Sequence, residues 1–257
     1  MILITRPVNA RRSRPGFTLV ELLVVVVIIA ILASFLVPAV WNAITSAEEG
    51  KIKVEVALLA SAVEAYKAEY GAYPPDFNDK TLALAHINRI FPRQIDYASA
   101  AALPSLSEPE ALVFWLRGFS PDPQRPFTGA GDRTPMFDFD RLQLSAELHS
   151  TAPYPKYGPQ SGLETPYAYF SKTYVGKSYF VSGAQTGTAR PYLLDGGVAT
   201  NESAYAAAGK FQIISAGQDG HYGVGGGQYP SGTNYAAGDR DNVVNFSQGA
   251  TLENDRP

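Results

Sequence analysis

The pattern of apolar and polar positions divides the chain into three regimes. From Leu22 to Ala47 no residue is charged, and the stretch LLVVVVIIAILASFLVPAVW is long enough to cross a hydrocarbon layer of about 30 Å as a helix. Beyond it Ile52, Val56, Leu59, Val63, Tyr66 and Tyr70 recur at spacings of four and three, with Glu48, Glu49, Lys51, Lys53, Glu55, Glu64 and Lys67 interspersed. That is the spacing of an amphipathic helix. One helix is therefore predicted over about 17–70, apolar all round in its first half and one-faced in its second. Pro38 interrupts it but is tolerated in a spanning segment. Gly71 supplies a C-cap and Pro74-Pro75 forbid continuation.

The second regime, about 76–160, alternates short helical patterns with proline-rich loops. Asp79 is placed to cap a helix running to Ile90, and Ser107-Glu108-Pro109-Glu110 opens another through EALVFWLRGF, ending near Gly118. Leu112, Phe114 and Trp115 are apolar enough for a core. The run SPDPQRPFTGAGDRTP is rich in turn formers and reads as a surface loop. In the third regime YAYF, KSYFVSG, RPYLL and KFQIISAG carry β-branched and aromatic residues between glycine and proline breaks, as expected of antiparallel strands. A small sheet packed on the second half of the long helix follows.

Composition removes several functions. The 257 residues suffice for one sizeable core, and 46% hydrophobic content argues against a disordered chain. Cysteine is absent, which excludes disulfides, thiolate metal sites and cysteine nucleophiles. A formal charge of -3 offers no basic footprint for nucleic acid. His86, His149 and His221 form no zinc-ligand spacing, Gly225-Gly226-Gly227 lacks the lysine and hydroxyl of a phosphate loop, and no serine sits in a nucleophile elbow. No enzymatic activity is expected.

Charge orients the apolar run. Arg6, Arg11, Arg12 and Arg14 precede it with no acid before Glu21, so the positive-inside rule places residues 1–16 in the cytoplasm and the bulk of the chain across the membrane. An ordinary signal peptide is the competing reading, but this run exceeds the roughly 7–15 residues of such a segment, and no clean small-x-small cleavage box follows it.

Arg14-Pro15-Gly16-Phe17-Thr18-Leu19-Val20-Glu21 resembles the prepilin signature of type IV pilins and type II secretion pseudopilins. The resemblance implies cleavage after Gly16 by a membrane prepilin peptidase and N-methylation of the new terminal Phe17. It also implies a pilin fold and assembly into a filament. Glu21, a lone carboxylate at the edge of the apolar span, then gains a partner, because the amine created at Phe17 of an incoming subunit can neutralise it. A snorkelling interfacial acid is the alternative. Losing the leader removes four arginines from 21 basic residues set against 24 acidic ones, and takes the formal charge from -3 to about -7.

The C-terminal stretch 215–246 alternates glycines with Asp219, Asp239, Asp241 and Asn242, a mixture suited to a hard cation although no EF-hand spacing is present. It resembles the end of the major pseudopilin of type II secretion: Ser215-Ala216-Gly217-Gln218-Asp219-Gly220, then Asp241-Asn242-Val243-Val244-Asn245-Phe246. That resemblance implies calcium held by the side chains of Asp219, Asp241 and Asn242 and by backbone oxygens of Ala216, His221 and Asp239. The family has a second aspartate where this chain has Asn242. A solvated glycine-rich turn capped by its aspartates is the competing reading.

The combined expectation is an α+β pilin fold: a leader at 1–16, a membrane and filament-core segment at 17–41, an amphipathic helix at 42–71, and a periplasmic head at 72–257 with a helical, proline-rich insert. Its expected role is that of a structural pseudopilin in the inner membrane, assembling with copies of itself and with minor pseudopilins on a secretion platform. A surface type IV pilin and a membrane-anchored periplasmic binding module are the alternatives.

Overall fold

The computed structural model describes residues 16–159, 165–180 and 187–257. Two compact units are present, Met1–Thr45 and Ser46–Pro257. Helix α1, Leu19–Tyr70, contributes residues to both and runs through Pro38 without a break in helical conformation. Of the first unit, residues 1–15 lie outside the described residues, and with them most of the expected leader.

In the first unit the apolar side chains of α1 are exposed among the described residues. Leu22, Ile28, Leu32, Phe35 and Trp41 are all exposed, and the most apolar stretch of the helix has a mean hydropathy of 3.1 with none of it buried. Such a surface is unstable in water and calls for lipid or partner helices.

The second unit carries a complete core. The predicted stripe of Ile52, Val56, Leu59, Val63 and Tyr66 is buried, and Tyr70 partly so. The helix stops as the sequence indicates, with the Gly71 N–H donating to Lys67 O at 2.8 Å. Helix α2, Lys80–Ile90, begins where Asp79 Oδ1 accepts from the amides of Thr81 (2.8 Å) and Leu82 (3.3 Å). Helix α3, Glu108–Leu116, opens on a capping interaction in which Ser107 N–H donates to Glu110 Oε2 at 2.7 Å.

The strands are β1 (Ala168–Ser171), β2 (Tyr179–Phe180), β3 (Thr188–Ala189), β4 (Leu193–Leu194), β5 (Phe211–Ser215), β6 (Gln228–Tyr229) and β7 (Val243–Val244). The principal sheet has the order β1-β5-β7, antiparallel throughout, with Tyr169 opposite Ile213 and Ile214 opposite Val244. β2 pairs with β3 antiparallel, whereas β4 and β6 are parallel. The parallel pair departs from the antiparallel expectation. It is made possible by the long connection from Asp195 to Gly227, which a hairpin would not need.

Strand alternation distributes this sheet between two cores. Tyr167, Tyr169, Phe211, Ile213 and Val243 face the cluster built on α1 and α3, while Ala168, Phe170, Ile214 and Val244 face a second cluster with Tyr174, Tyr192, Tyr205, Tyr222 and Leu252. Both faces are covered, so every residue of β1 and β5 is buried, including Gln212. That glutamine is satisfied by Tyr192 and Ala206: its Oε1 accepts from Tyr192 N, and its Nε2 donates to the Tyr192 and Ala206 carbonyls.

Polar ties fix the amphipathic part of α1 to the rest of the unit. Lys53 Nζ donates to Val244 O (2.9 Å), Ser247 O (2.7 Å) and Ser247 Oγ (2.6 Å), binding the helix to the C-terminal edge of β7. Partial burial lowers the pKa of this ammonium, and the Asp255 charge acts in the opposite direction. Two residues on, Glu55 accepts from the Tyr157 and Tyr167 hydroxyls and from Gln143 Nε2 at 2.9 Å. The run at 120–135 is a surface loop, as expected, and side chains tie it down. Arg133 donates to the carbonyls of Gly118, Pro126 and Phe127, Asp96 accepts the Phe127 amide at 2.7 Å, and Phe127 itself is buried.

Candidate functional site

Two places carry the residues singled out from the sequence. The first is the start of α1. Gly16 and Phe17 precede the helix, and Phe17 is 79% exposed, as a scissile junction requires. Thr18 is the N-cap: Glu21 Oε2 accepts from Thr18 N and from Thr18 Oγ1, each at 2.8 Å, and Glu21 N donates to Thr18 Oγ1 at 3.2 Å. This is a capping box, in which a threonine and a glutamate three residues on satisfy each other's helix-start amides. Glu21 thus has a local task that the sequence reading did not assign, although Thr-x-x-Glu was there to be read. Both contacts accepted by the carboxylate use Oε2.

The second place is the acidic loop following β5. Asp219 and Asp241 are brought together: Asp241 Oδ2 accepts from the amides of Gln218 (2.9 Å) and Asp219 (3.0 Å), and Asp219 Oδ1 accepts from His221 N at 2.6 Å. The approach demands glycine at 217. With φ at +65°, a Cβ there would lie 2.3 Å from Asp241 O and 2.5 Å from its Oδ2. Burial raises the Asp241 pKa, the Asp219 charge raises it further, and hydrogen bonds from backbone amides oppose both. Asp219 is also raised by burial.

Asn242 is fully buried. Its Nδ2 donates to Tyr192 Oη at 2.7 Å and to Tyr222 O at 3.2 Å, and because a carbonyl oxygen can only accept, the nitrogen must face Tyr222. That leaves Asn242 Oδ1 buried without a hydrogen-bond partner, and Asp241 Oδ1 is in the same condition. Two adjacent residues each presenting an unsatisfied buried oxygen is costly unless something electropositive meets them.

Asp239 is differently employed. Its carboxylate is buried and accepts from Tyr192 Oη (3.0 Å), Gly225 N (2.9 Å), Val224 N (3.3 Å) and Ala236 N (2.8 Å). It organises the glycine loop, and its backbone oxygen accepts the Asn242 amide at 3.3 Å. Among the described residues no three His, Cys, Asp or Glu side chains converge as a metal site, so any cation here would depend on amide and backbone oxygens as well as on Asp219 and Asp241. Ala216 is buried and His221 half-buried in the same loop.

Residues 11–37 match the model of the prokaryotic N-terminal methylation motif. The chain thus carries a prepilin-type N-terminal segment. Its N-terminal region is homologous to proteins named type II secretion system core protein G. It is 42% identical over 64 residues to the protein of Pseudomonas aeruginosa, covering 25% of this chain and 45% of that one. Comparable figures are 41% over 64 residues for Klebsiella michiganensis and 41% over 63 for Vibrio cholerae. The matched segment spans less than half the length of each of these relatives. No solved structure matches the chain.

Proposed function

We propose that this chain is a structural pseudopilin subunit of a type II secretion system. It is held in the inner membrane by α1 with its N-terminus cytoplasmic, cut between Gly16 and Phe17 by a prepilin peptidase, methylated on Phe17 and assembled into a periplasmic pseudopilus. Copies of itself, minor pseudopilins and the inner-membrane assembly platform are its partners. The observation that carries this reading is that the methylation motif at 11–37 runs into the start of α1, whose apolar surface is left exposed. The relatives named for type II secretion favour that system over a surface pilus. Mass spectrometry of the protein isolated from membranes of a host with prepilin peptidase is expected to show a chain beginning at N-methylated Phe17. A mature terminus elsewhere would overturn the reading.

Calcium in the acidic loop is part of the same proposal. The unsatisfied Oδ1 atoms of Asp241 and Asn242, with the Asp219 carboxylate in the same loop, are the donor chemistry such an ion takes, and it would offset the burial and, secondarily, the Asp219 charge that raise the Asp241 pKa. Titrating the full chain in detergent with calcium is expected to give heat and a raised Tm. At about one hundred times the dissociation constant the gain should be about 2.7 kcal/mol, and Asp241→Asn should abolish most of it. Neither heat nor stabilisation would remove the site.

A further inference from the structure

Between the exit of α1, helix α2 and the loop Ser171–Lys177 lies a cleft of about 480 Å³. Its volume falls in the range of sites that hold small ligands or short peptide segments. Neither the methylation motif nor the acidic loop touches it.

The acids that line the cleft are already occupied. Asp76, 4% exposed, forms an ion pair with Lys177 and accepts the Ser171 amide at 2.9 Å. Asp79 is spent on capping α2. Two cations are not neutralised. Lys172 makes no ion pair or hydrogen bond among the described residues, and the only partner of Arg89 is a neutral one, His86 Nδ1, at 3.2 Å.

That last contact settles the state of the histidine. A guanidinium only donates, so Nδ1 is an acceptor and the ring proton sits on Nε2, 2.9 Å from Tyr66 Oη. Burial, with the charges of Arg89 and Lys172 adding to it, brings the His86 pKa down to about 4. With His86 neutral, the cations Arg89, Lys172 and Lys177 outnumber the acids Asp76 and Asp79 among the lining side chains, and the cleft is net positive. Arg89 is also aimed by this bond, with further N–H groups left to donate. Leu82 and Val175, 55% and 43% exposed, provide an apolar margin.

We propose that this cleft binds a carboxylate-bearing peptide segment of a partner protein, the carboxylate lying between Arg89 and Lys172 and neighbouring apolar side chains resting on Leu82 and Val175. A guanidinium and an ammonium converging on one site suit a carboxylate, and the apolar margin distinguishes a peptide from a bare anion. The site stands independently of filament assembly.

Fluorescence anisotropy of the full chain in detergent micelles tests it with three labelled peptides of one apolar sequence: one ending in a free C-terminal carboxylate, one amidated but carrying an aspartate side chain, and one amidated with no acid. Binding of either acidic peptide, at least about tenfold tighter than the neutral one, is expected, and which of the two binds identifies the source of the carboxylate. Arg89→Gln with Lys172→Gln should weaken it by about tenfold or more at unchanged Tm. Lys172→Gln alone, which disturbs no contact, keeps the test valid should Arg89→Gln unsettle His86. Equal binding of the neutral peptide, indifference to Lys172→Gln, or displacement by equimolar inorganic phosphate would overturn the proposal.

Discussion

A chain with alanine in place of Trp115 should unfold about 3–5 kcal/mol more easily than the wild type, the cost of deleting a large buried aromatic side chain. Trp115 is fully buried on α3, and its indole packs against rings from α1, α2 and the loops beside them. Tyr66 of α1 lies edge-on at 5.9 Å, His86 of α2 at 5.3 Å, Phe77 at 5.6 Å and Phe127 at 6.2 Å between ring centroids. Its Nε1 donates to Pro75 O at 2.7 Å, which pins the segment leaving α1. Truncation removes these contacts together and leaves the half-buried Pro75 carbonyl without its donor. For a unit of this size the loss corresponds to roughly 6–20 °C in Tm. Trp115→Phe, which keeps much of the packing but not the N–H, should lie between the two. Urea unfolding followed by circular dichroism reads the difference, and a single transition is expected. A loss under about 1 kcal/mol, or a separate early transition, would mean that residues 76–160 form an appendage and not part of the core built on α1.

How far the sequence reached depended on the range over which each feature is determined. The helices were legible because their signals are local: the spacing from Ile52 to Tyr66 marked the buried face of α1, and Asp79 and the Ser107–Glu110 pair marked helix starts. Strands β1, β2, β4 and β5 fall on the four predicted segments, whereas β3, β6 and β7, two residues each without a longer apolar-aromatic run around them, were not marked. The second core was not foreseen either, since nothing in FQIIS says that both faces of the strand are covered until Tyr192 and Tyr222 arrive from distant loops. The surface loop at 120–135 is anchored by Arg133 and Asp96 through contacts that composition does not encode.

The acidic loop shows the same division. The resemblance grouped Asp219, Asp241 and Asn242; of these, Asp219 and Asp241 are joined through the backbone of the turn, while the Asn242 amide is aimed at Tyr192 and Tyr222. That the Asp239 side chain serves Tyr192 and the amides of Val224, Gly225 and Ala236 was not legible, because the resemblance assigned this residue only a backbone oxygen and an aspartate among glycines does not show which loop it holds. Asn242 is likewise more than a weakened aspartate. Its amide nitrogen donates to Tyr192 and Tyr222, a task no carboxylate performs.

Replacing Glu21 tests how the chain assembles, and two substitutions separate the two tasks this residue can have. Its carboxylate closes the capping box with Thr18, and in a filament the same group would neutralise the amine that cleavage creates on Phe17 of a neighbour. Glutamine keeps the capping geometry and discards the charge, whereas alanine discards both. If charge pairing governs assembly, sedimentable fibre should fall by roughly tenfold or more in Glu21→Gln and Glu21→Ala alike, with membrane insertion and N-terminal processing unchanged. Thr18→Ala, which weakens the cap and leaves the charge, should then assemble nearly as well as the wild type. The opposite ranking, with Glu21→Gln assembling normally and Thr18→Ala failing, would assign Glu21 to the helix start alone and leave the register of the filament to the apolar surface of α1. The expectation of a charge role rests on economy: a glutamine would cap this helix as well, yet the chain places an acid at the edge of a span with no other charged residue before Glu48.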